Sequence, residues 1–227
     1  DAYVDHPSYG AALIGRVLED AGYKVGILAQ PDWKTSQDFL ALGRPRLFFG
    51  ITAGNLDSMV SNYTASKKPR RMDGYAPGGL PGLRPNRASI VFSSKIKGLF
   101  PGVPVVLGGV EASLRRLAHF DYWEESVRRS ILADAKADIL VYGMGEKTIL
   151  EIARRFRDAA EGPDSFLKKK APVPQELLQG IRGTVIIRNR LEGLGDAVAL
   201  PSYEEVSADK NKFNEAFKLA YLEMDPV

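Results

Sequence analysis

The chain has 227 residues, of which 44% are hydrophobic and 26% charged, with a formal net charge of +3 and no cysteine. That length and apolar share can bury a sizeable core, as one large domain or a domain with an appendage, and do not read as a disordered chain. The missing cysteines exclude disulfides, thiolate metal sites and a thiol nucleophile within these residues, and two histidines are too few for an all-protein transition-metal site.

No apolar run approaches the roughly 18 residues of a membrane-spanning helix, and Asp1-Ala-Tyr-Val-Asp5 has no leader character, so the chain reads as cytoplasmic with no membrane partner. A first residue of Asp rather than Met suggests that further chain precedes it. In chain order, Ser8 is placed to cap a helix whose apolar positions Ile14, Val17, Leu18 and Ala21 recur at helical spacing, with Gly22 as its C-terminal cap. A strand is expected over Lys24–Ala29. Another is expected over Leu47–Thr52, continuously apolar as in a parallel strand covered on both faces. Residues 56–87 are dense in Gly, Pro, Lys and Arg and read as a long loop of the kind that carries function.

Ala88, Val91, Phe92, Ile96 and Leu99 mark a helix, followed by the strand Val103–Leu107 and the pair Gly108-Gly109. Asp121–Leu132 reads as a helix, Ala137–Tyr142 as a strand ended by Gly143-Met-Gly145, and Ile149, Ile152, Ala153 and Phe156 as one face of a further helix. This repeated βα rhythm predicts an α/β fold with an open, doubly wound parallel sheet of Rossmann-like type over residues 1–162. Residues 163–227 read as a linker, a hairpin of Thr184–Arg188 with Ala197–Leu200, and a helix capped by Ser207. That helix carries Phe213, Ala216, Phe217, Ala220, Tyr221 and Met224 on one stripe.

In such a sheet, ligands gather outside the carboxyl ends of the strands. The candidate binding rim is therefore Asp5, His6, Ser8 and Gly10 before and within the first helix, and Thr52, Gly54 and Asn55 after the third expected strand. It continues with Gly108, Gly109, Glu111, Ser113, Arg115 and Arg116, and then Gly143, Gly145 and Glu146. Glycines there let backbone amides approach a ligand, and helix N-termini favour a negative group. His6 is the candidate proton carrier or axial ligand, with a hydrogen-bonded loop anchor as the alternative. Glu111 and Glu146 can receive a hydroxyl or simply favour the first turn of a helix. Arg115 and Arg116 can hold phosphate or pair at the surface. Trp33 and Trp123 read as packing anchors. No residue acquires a catalytic role, and no dinucleotide fingerprint, P-loop or nucleophile elbow occurs.

Several strings in a fixed order carry more information. Asp1-Ala-Tyr-Val-Asp-His-Pro-Ser-Tyr-Gly10, Ala29-Gln-Pro-Asp-Trp33, Leu47-Phe-Phe-Gly-Ile-Thr-Ala-Gly-Asn-Leu-Asp-Ser-Met59, Leu107-Gly-Gly-Val-Glu-Ala-Ser-Leu-Arg-Arg116, Asp121-Tyr-Trp123 and Leu200-Pro-Ser-Tyr-Glu204 resemble the N-terminal region of YgiQ-type radical SAM proteins. The resemblance runs over nearly the whole chain. It implies a parent enzyme of unassigned substrate, small-molecule or macromolecular, whose barrel domain follows this region and uses three cysteines to hold a [4Fe-4S] cluster that cleaves S-adenosylmethionine. That barrel is the implied partner of this chain, with the helix around Phe217 docking on it. Related enzymes place a cobalamin-binding α/β domain at this position, and Gly108-Gly109 looks similar to theirs. The pattern that presents an axial histidine is not met around His6, where Val4 and Tyr9 stand at the required positions.

Two other functions fit the same residues. One is an independent module for cobalamin or a nucleotide. The other is an RNA-associated protein using Lys67, Lys68, Arg70 and Arg71, although the basic residues lie in short knots among acidic ones and do not favour a nucleic-acid partner.

Overall fold

The computed structural model describes residues 1–4, 9–161, 166–169, 171–190 and 193–223. They form two compact units, residues 1–116 with 131–187 and residues 117–130 with 188–227. In the first unit lie α1 (Tyr9–Asp20), α2 (Gln37–Leu40), β1 (Phe49–Ile51), α3 (Ser58–Asn62), α4 (Ala88–Leu99), β2 (Val105–Leu107) and α5 (Gly109–Leu114). The second unit contributes the hairpin strands β3 (His119–Asp121) and β4 (Ser126–Arg128). The first unit resumes with α6 (Ile131–Asp134), β5 (Ile139–Val141), α7 (Glu146–Ala160), α8 (Phe166–Lys169), α9 (Gln175–Leu178) and β6 (Thr184–Val185), and the second ends with α10 (Tyr203–Ala208) and α11 (Lys210–Leu222).

The first unit is an α/β fold on a mixed, mainly parallel sheet of order β1-β2-β5-β6. β1, β2 and β5 are parallel, with Ile51 opposite Leu107 and Leu107 opposite Leu140, and β6 closes the far edge antiparallel to β5. Side chains alternate across a strand, so a sheet covered on both faces must be apolar at every position. Val105, Leu107 and Leu140 enter one cluster with Ile96 of α4, Phe100 just after it, and Ile131 and Leu132 of α6. Val106, Ile139 and Val141 enter the other with Leu18 of α1 and Ile149, Ile152, Ala153 and Phe156 of α7. The expected helix end at Gly22 is met: the Gly22 amide donates to Glu19 O and the Tyr23 amide to Leu18 O, with Gly22 at φ +84°. That bonding satisfies two otherwise orphaned carbonyls.

Four expected elements take another form. Residues 24–29 form no strand: Tyr23 and Val25 pack on the α7 side of the sheet while Ile27 is exposed, so the segment covers the core without joining a ladder. Residues 121–132 are not one helix. The Asp121 carboxylate accepts from the Trp123 and Glu124 amides, Glu125 adopts φ +54°, and the chain reverses into β4. Thr184 and Val185 pair with Val141 and Leu140 rather than with residues 197–200, because β5 offers an unpaired edge inside the core. Ser207 is not a cap. Ser202 caps α10 through a capping box with Glu205, and Asp209 caps α11. Met224 lies outside the described residues. Among the described residues, no helix is long and apolar enough to cross a membrane.

Candidate functional site

The three parallel strands deliver three turns to one edge of the sheet: Thr52–Asn55 after β1, Gly108–Arg116 after β2 and Gly143–Glu146 after β5. Four backbone amides of these turns each have an acceptor within the protein. Gly54 N donates to Thr52 Oγ1 at 3.2 Å and Asn55 N to an Asp1 carboxylate oxygen at 2.6 Å. Gly108 N donates to Ile51 O at 2.9 Å, and Gly143 N to Ser113 Oγ at 3.2 Å. Ser113 Oγ in turn donates to Gly109 O at 2.8 Å, linking the β2 and β5 turns. Gly109 holds φ +80°, and a Cβ there would lie 2.3 Å from Thr52 Oγ1, so this close approach of two turns requires glycine. The edge is a polar joint that satisfies itself.

Glu111 of α5 and Arg115 at its C-terminal end turn inward. Glu111 is 1% exposed. One of its oxygens accepts from Ser58 N at 2.8 Å and Ser58 Oγ at 2.5 Å; the other accepts from Ser89 N at 2.9 Å. Ser58 Oγ also accepts from Ala88 N at 3.0 Å. These donors are first-turn amides of α3 and α4, where helices leave N–H groups unpaired and favour negative charge. Arg87, before α4, has a left-handed backbone and supplies no side-chain cap, so the cap comes from α5 instead.

Arg115 pairs with Asp57 at 2.5 Å and lies 3.8 Å from Glu111. Asp57 caps α3 through the Met59 and Val60 amides. Burial lifts the Asp57 carboxyl above its ordinary range against the opposing pull of Arg115, with Glu111 adding to the rise. Arg116, by contrast, lies over the Tyr142 ring, 5.0 Å from its centroid, and donates to Ser113 O. Glu146 stands in the first turn of α7, and Gly145 packs against Val141. Gly10 is exposed on α1, away from any contact a Cβ would make. Asp5, His6 and Ser8 lie outside the described residues.

The loop of residues 56–87 is organised by a buried guanidinium that sequence reasoning passed over. Arg84 is 3% exposed; it donates to Ala53 O at 2.6 Å and pairs with Asp73 and with Asp1. Asn55 Nδ2 donates to Tyr75 Oη and the Ala2 amide to Tyr75 O, so the chain start, the β1 turn and the loop share one network. An arginine isolated among Gly and Pro, with Asp73 eleven residues earlier, was the available signal.

The family model described as Radical SAM N-terminal matches residues 1–227. A UPF0313 protein of Thermotoga neapolitana is 55% identical over 226 residues, covering 100% of this chain and 37% of that protein. A UPF0313 protein of Methanosarcina acetivorans is 51% identical over 239 residues, with 100% and 32% covered, and one of Clostridium botulinum is 49% identical over 227 residues, with 100% and 33% covered. The chain spans about a third of the length of the curated relatives it matches. No solved structure matches.

Proposed function

From the premise that the chain belongs to the Radical SAM N-terminal family, we propose that it is the accessory, substrate-facing domain of a radical SAM enzyme and performs no chemistry alone. When bound, a [4Fe-4S] cluster supplies the electron that cleaves S-adenosylmethionine. The residues here do not fit such a cluster: the chain has no cysteine, and among the described residues no three His, Asp or Glu side chains gather as a metal site. The cluster's ligands therefore belong to the remaining two thirds of the protein, the length by which the relatives exceed this chain.

The observation that carries the proposal is the contrast at the strand ends. Glu111 and Arg115 are turned inward and the turn amides are paired within the protein, while Val110, Leu114, Tyr142 and Met144 on the same turns are exposed, Met144 by 91%. Apolar side chains outside a self-satisfied polar joint suit a docking surface better than a reactive centre. The occupant we assign is the barrel of the same protein. The rim residues Thr52, Gly54, Asn55, Gly108, Gly109, Ser113, Gly143 and Gly145 hold the surface in shape, and Gly10, Arg116 and Glu146 flank it. The Rossmann-like, doubly wound description and the likeness to cobalamin domains belong to this proposal, as does docking of α11 through Phe217 and Tyr221, both exposed.

Hydrogen exchange tests the docking. Amides of residues 109–116 and 142–146 should exchange more slowly in the full-length protein than in residues 1–227 alone, and Leu114→Glu with Met144→Glu in the full-length protein should abolish the difference. Equal exchange in both proteins would overturn the assignment.

A further inference from the structure

Beside the β1 turn, the loop of residues 56–87 together with Trp33 and Val91 lines an open cavity of about 580 Å³, within the size range of small-ligand sites. Its chemistry is graded from inside to outside. At the inner wall stand Ser61 and Arg84, 6% and 3% exposed. Ser61 Oγ and Arg84 Nε are buried without a hydrogen-bond partner among the described residues. Arg84 is already flanked by the carboxylates of Asp73 and Asp1, so one positive charge faces two negative ones. A further anion is disfavoured there, whereas a neutral acceptor, a carbonyl oxygen or a ring nitrogen, answers both orphaned donors.

Aromatic and amide side chains also line the cavity. Trp33 and Tyr63 contribute ring surface, and Trp33 is held in place because its carbonyl accepts from Lys95 Nζ at 2.6 Å. Asn62 donates through its amide nitrogen to Arg84 O and Asn86 Oδ1, which leaves its amide oxygen to accept from a ligand N–H. At the outer wall, Arg70 is exposed and anchored by its Nε on Val60 O, and the exposed Lys68 and Arg71 stand beside it in the chain.

We propose that this cavity binds a planar nitrogen heterocycle carrying an anionic group, of mononucleotide build, with its polar edge toward Ser61 and Arg84, its ring against Trp33 and its anionic group at Arg70. Donors at the inner wall and an amide acceptor beside them match the mixed acceptor and donor edge of a heterocyclic base, and an indole face matches its ring. A guanidinium at the opening matches a phosphate or carboxylate. The site is built by the loop and does not depend on the radical SAM reading.

The test uses the full-length protein with the four common ribonucleoside monophosphates, their nucleosides, ribose 5-phosphate and a single-stranded oligoribonucleotide. Affinities are measured by calorimetry, and the site is located by hydrogen exchange. At least one monophosphate should bind and protect residues 61–86. Arg70→Gln should weaken that monophosphate about tenfold while leaving its nucleoside unchanged. Trp33→Leu should weaken both. Failure of every monophosphate at millimolar concentration, protection elsewhere, or binding by ribose 5-phosphate as tight as by the nucleotides would overturn the proposal. Binding of the oligoribonucleotide without any monophosphate would overturn it in favour of an extended nucleic-acid surface.

Discussion

Glu111 joins three helices through one buried carboxylate: it projects from α5 and receives the first-turn amides of α3 and α4. Glu111→Ala leaves those buried donors without their acceptor, while Arg115 keeps Asp57, and should cost about 3–5 kcal/mol. Glu111→Gln, which keeps an acceptor oxygen, should cost about 1–3 kcal/mol. Exchange of the Ser58 and Ser89 amides checks both directly. Asp57 gives a pH signature. Its pKa is raised above 3.8, so the stabilisation linked to its neutral form is complete below 3.8 and is lost as pH rises through the raised value. The stability cost of Asp57→Asn should accordingly shrink over the interval that opens at 3.8 as pH rises. A cost that grows over that interval contradicts the assignment. Gly109→Ala combines a left-handed backbone with a collision on Thr52 Oγ1 and should destabilise by about 1–3 kcal/mol, relieved in part by Thr52→Ala; thermal unfolding of the single and double variants measures the coupling. In the sequence the glycine pair after β2 reads as free for a ligand, whereas Gly109 serves the close approach of two turns and the Gly108 amide is bonded to Ile51 O. The partners of Glu111 were not legible. Ser58 and Ser89 lie 53 and 22 residues away, and sequence spacing shows only caps supplied by near neighbours.

Among elements, the three parallel strands and the helices α1, α4 and α7 were readable, because a continuous apolar run and a 3.6-residue stripe each have one structural meaning when long enough. Short polar starts have two. Asp121 bonding forward to the amides at 123 and 124 is compatible with a helix N-terminus or a turn, and the backbone of Glu125 decides for the turn. Ser207 and Ser202 are likewise equivalent as serines. Glu205, three residues after Ser202, completes the capping box, while the Ser207 hydroxyl donates to Tyr203 O inside α10. Ser202→Ala should lower the local stability of α10 by about 1 kcal/mol, read from exchange of the Glu205 amide, with Ser207→Ala changing it little. The segment 24–29 misled because its apolar residues cover the core without a ladder partner, and periodicity does not report hydrogen-bond partners.

For the whole molecule, the informative signal was a set of short strings in order, and the family match over residues 1–227 bears it out. What periodicity could not reach is the loop of residues 56–87. Its order rests on Arg84, Asp73 and Asn62 meeting across the loop rather than on any repeat. Under the proposed function, a chain without cysteine leaves the reactive centre to the rest of the protein. Anaerobic reconstitution with iron and sulfide tests this most directly, comparing the full-length protein with residues 1–227. The full-length protein should take up an iron–sulfur cluster and cleave S-adenosylmethionine, while residues 1–227 should take up none. A full-length protein that stays free of iron and inactive, or a cluster held by residues 1–227 alone, would contradict the account.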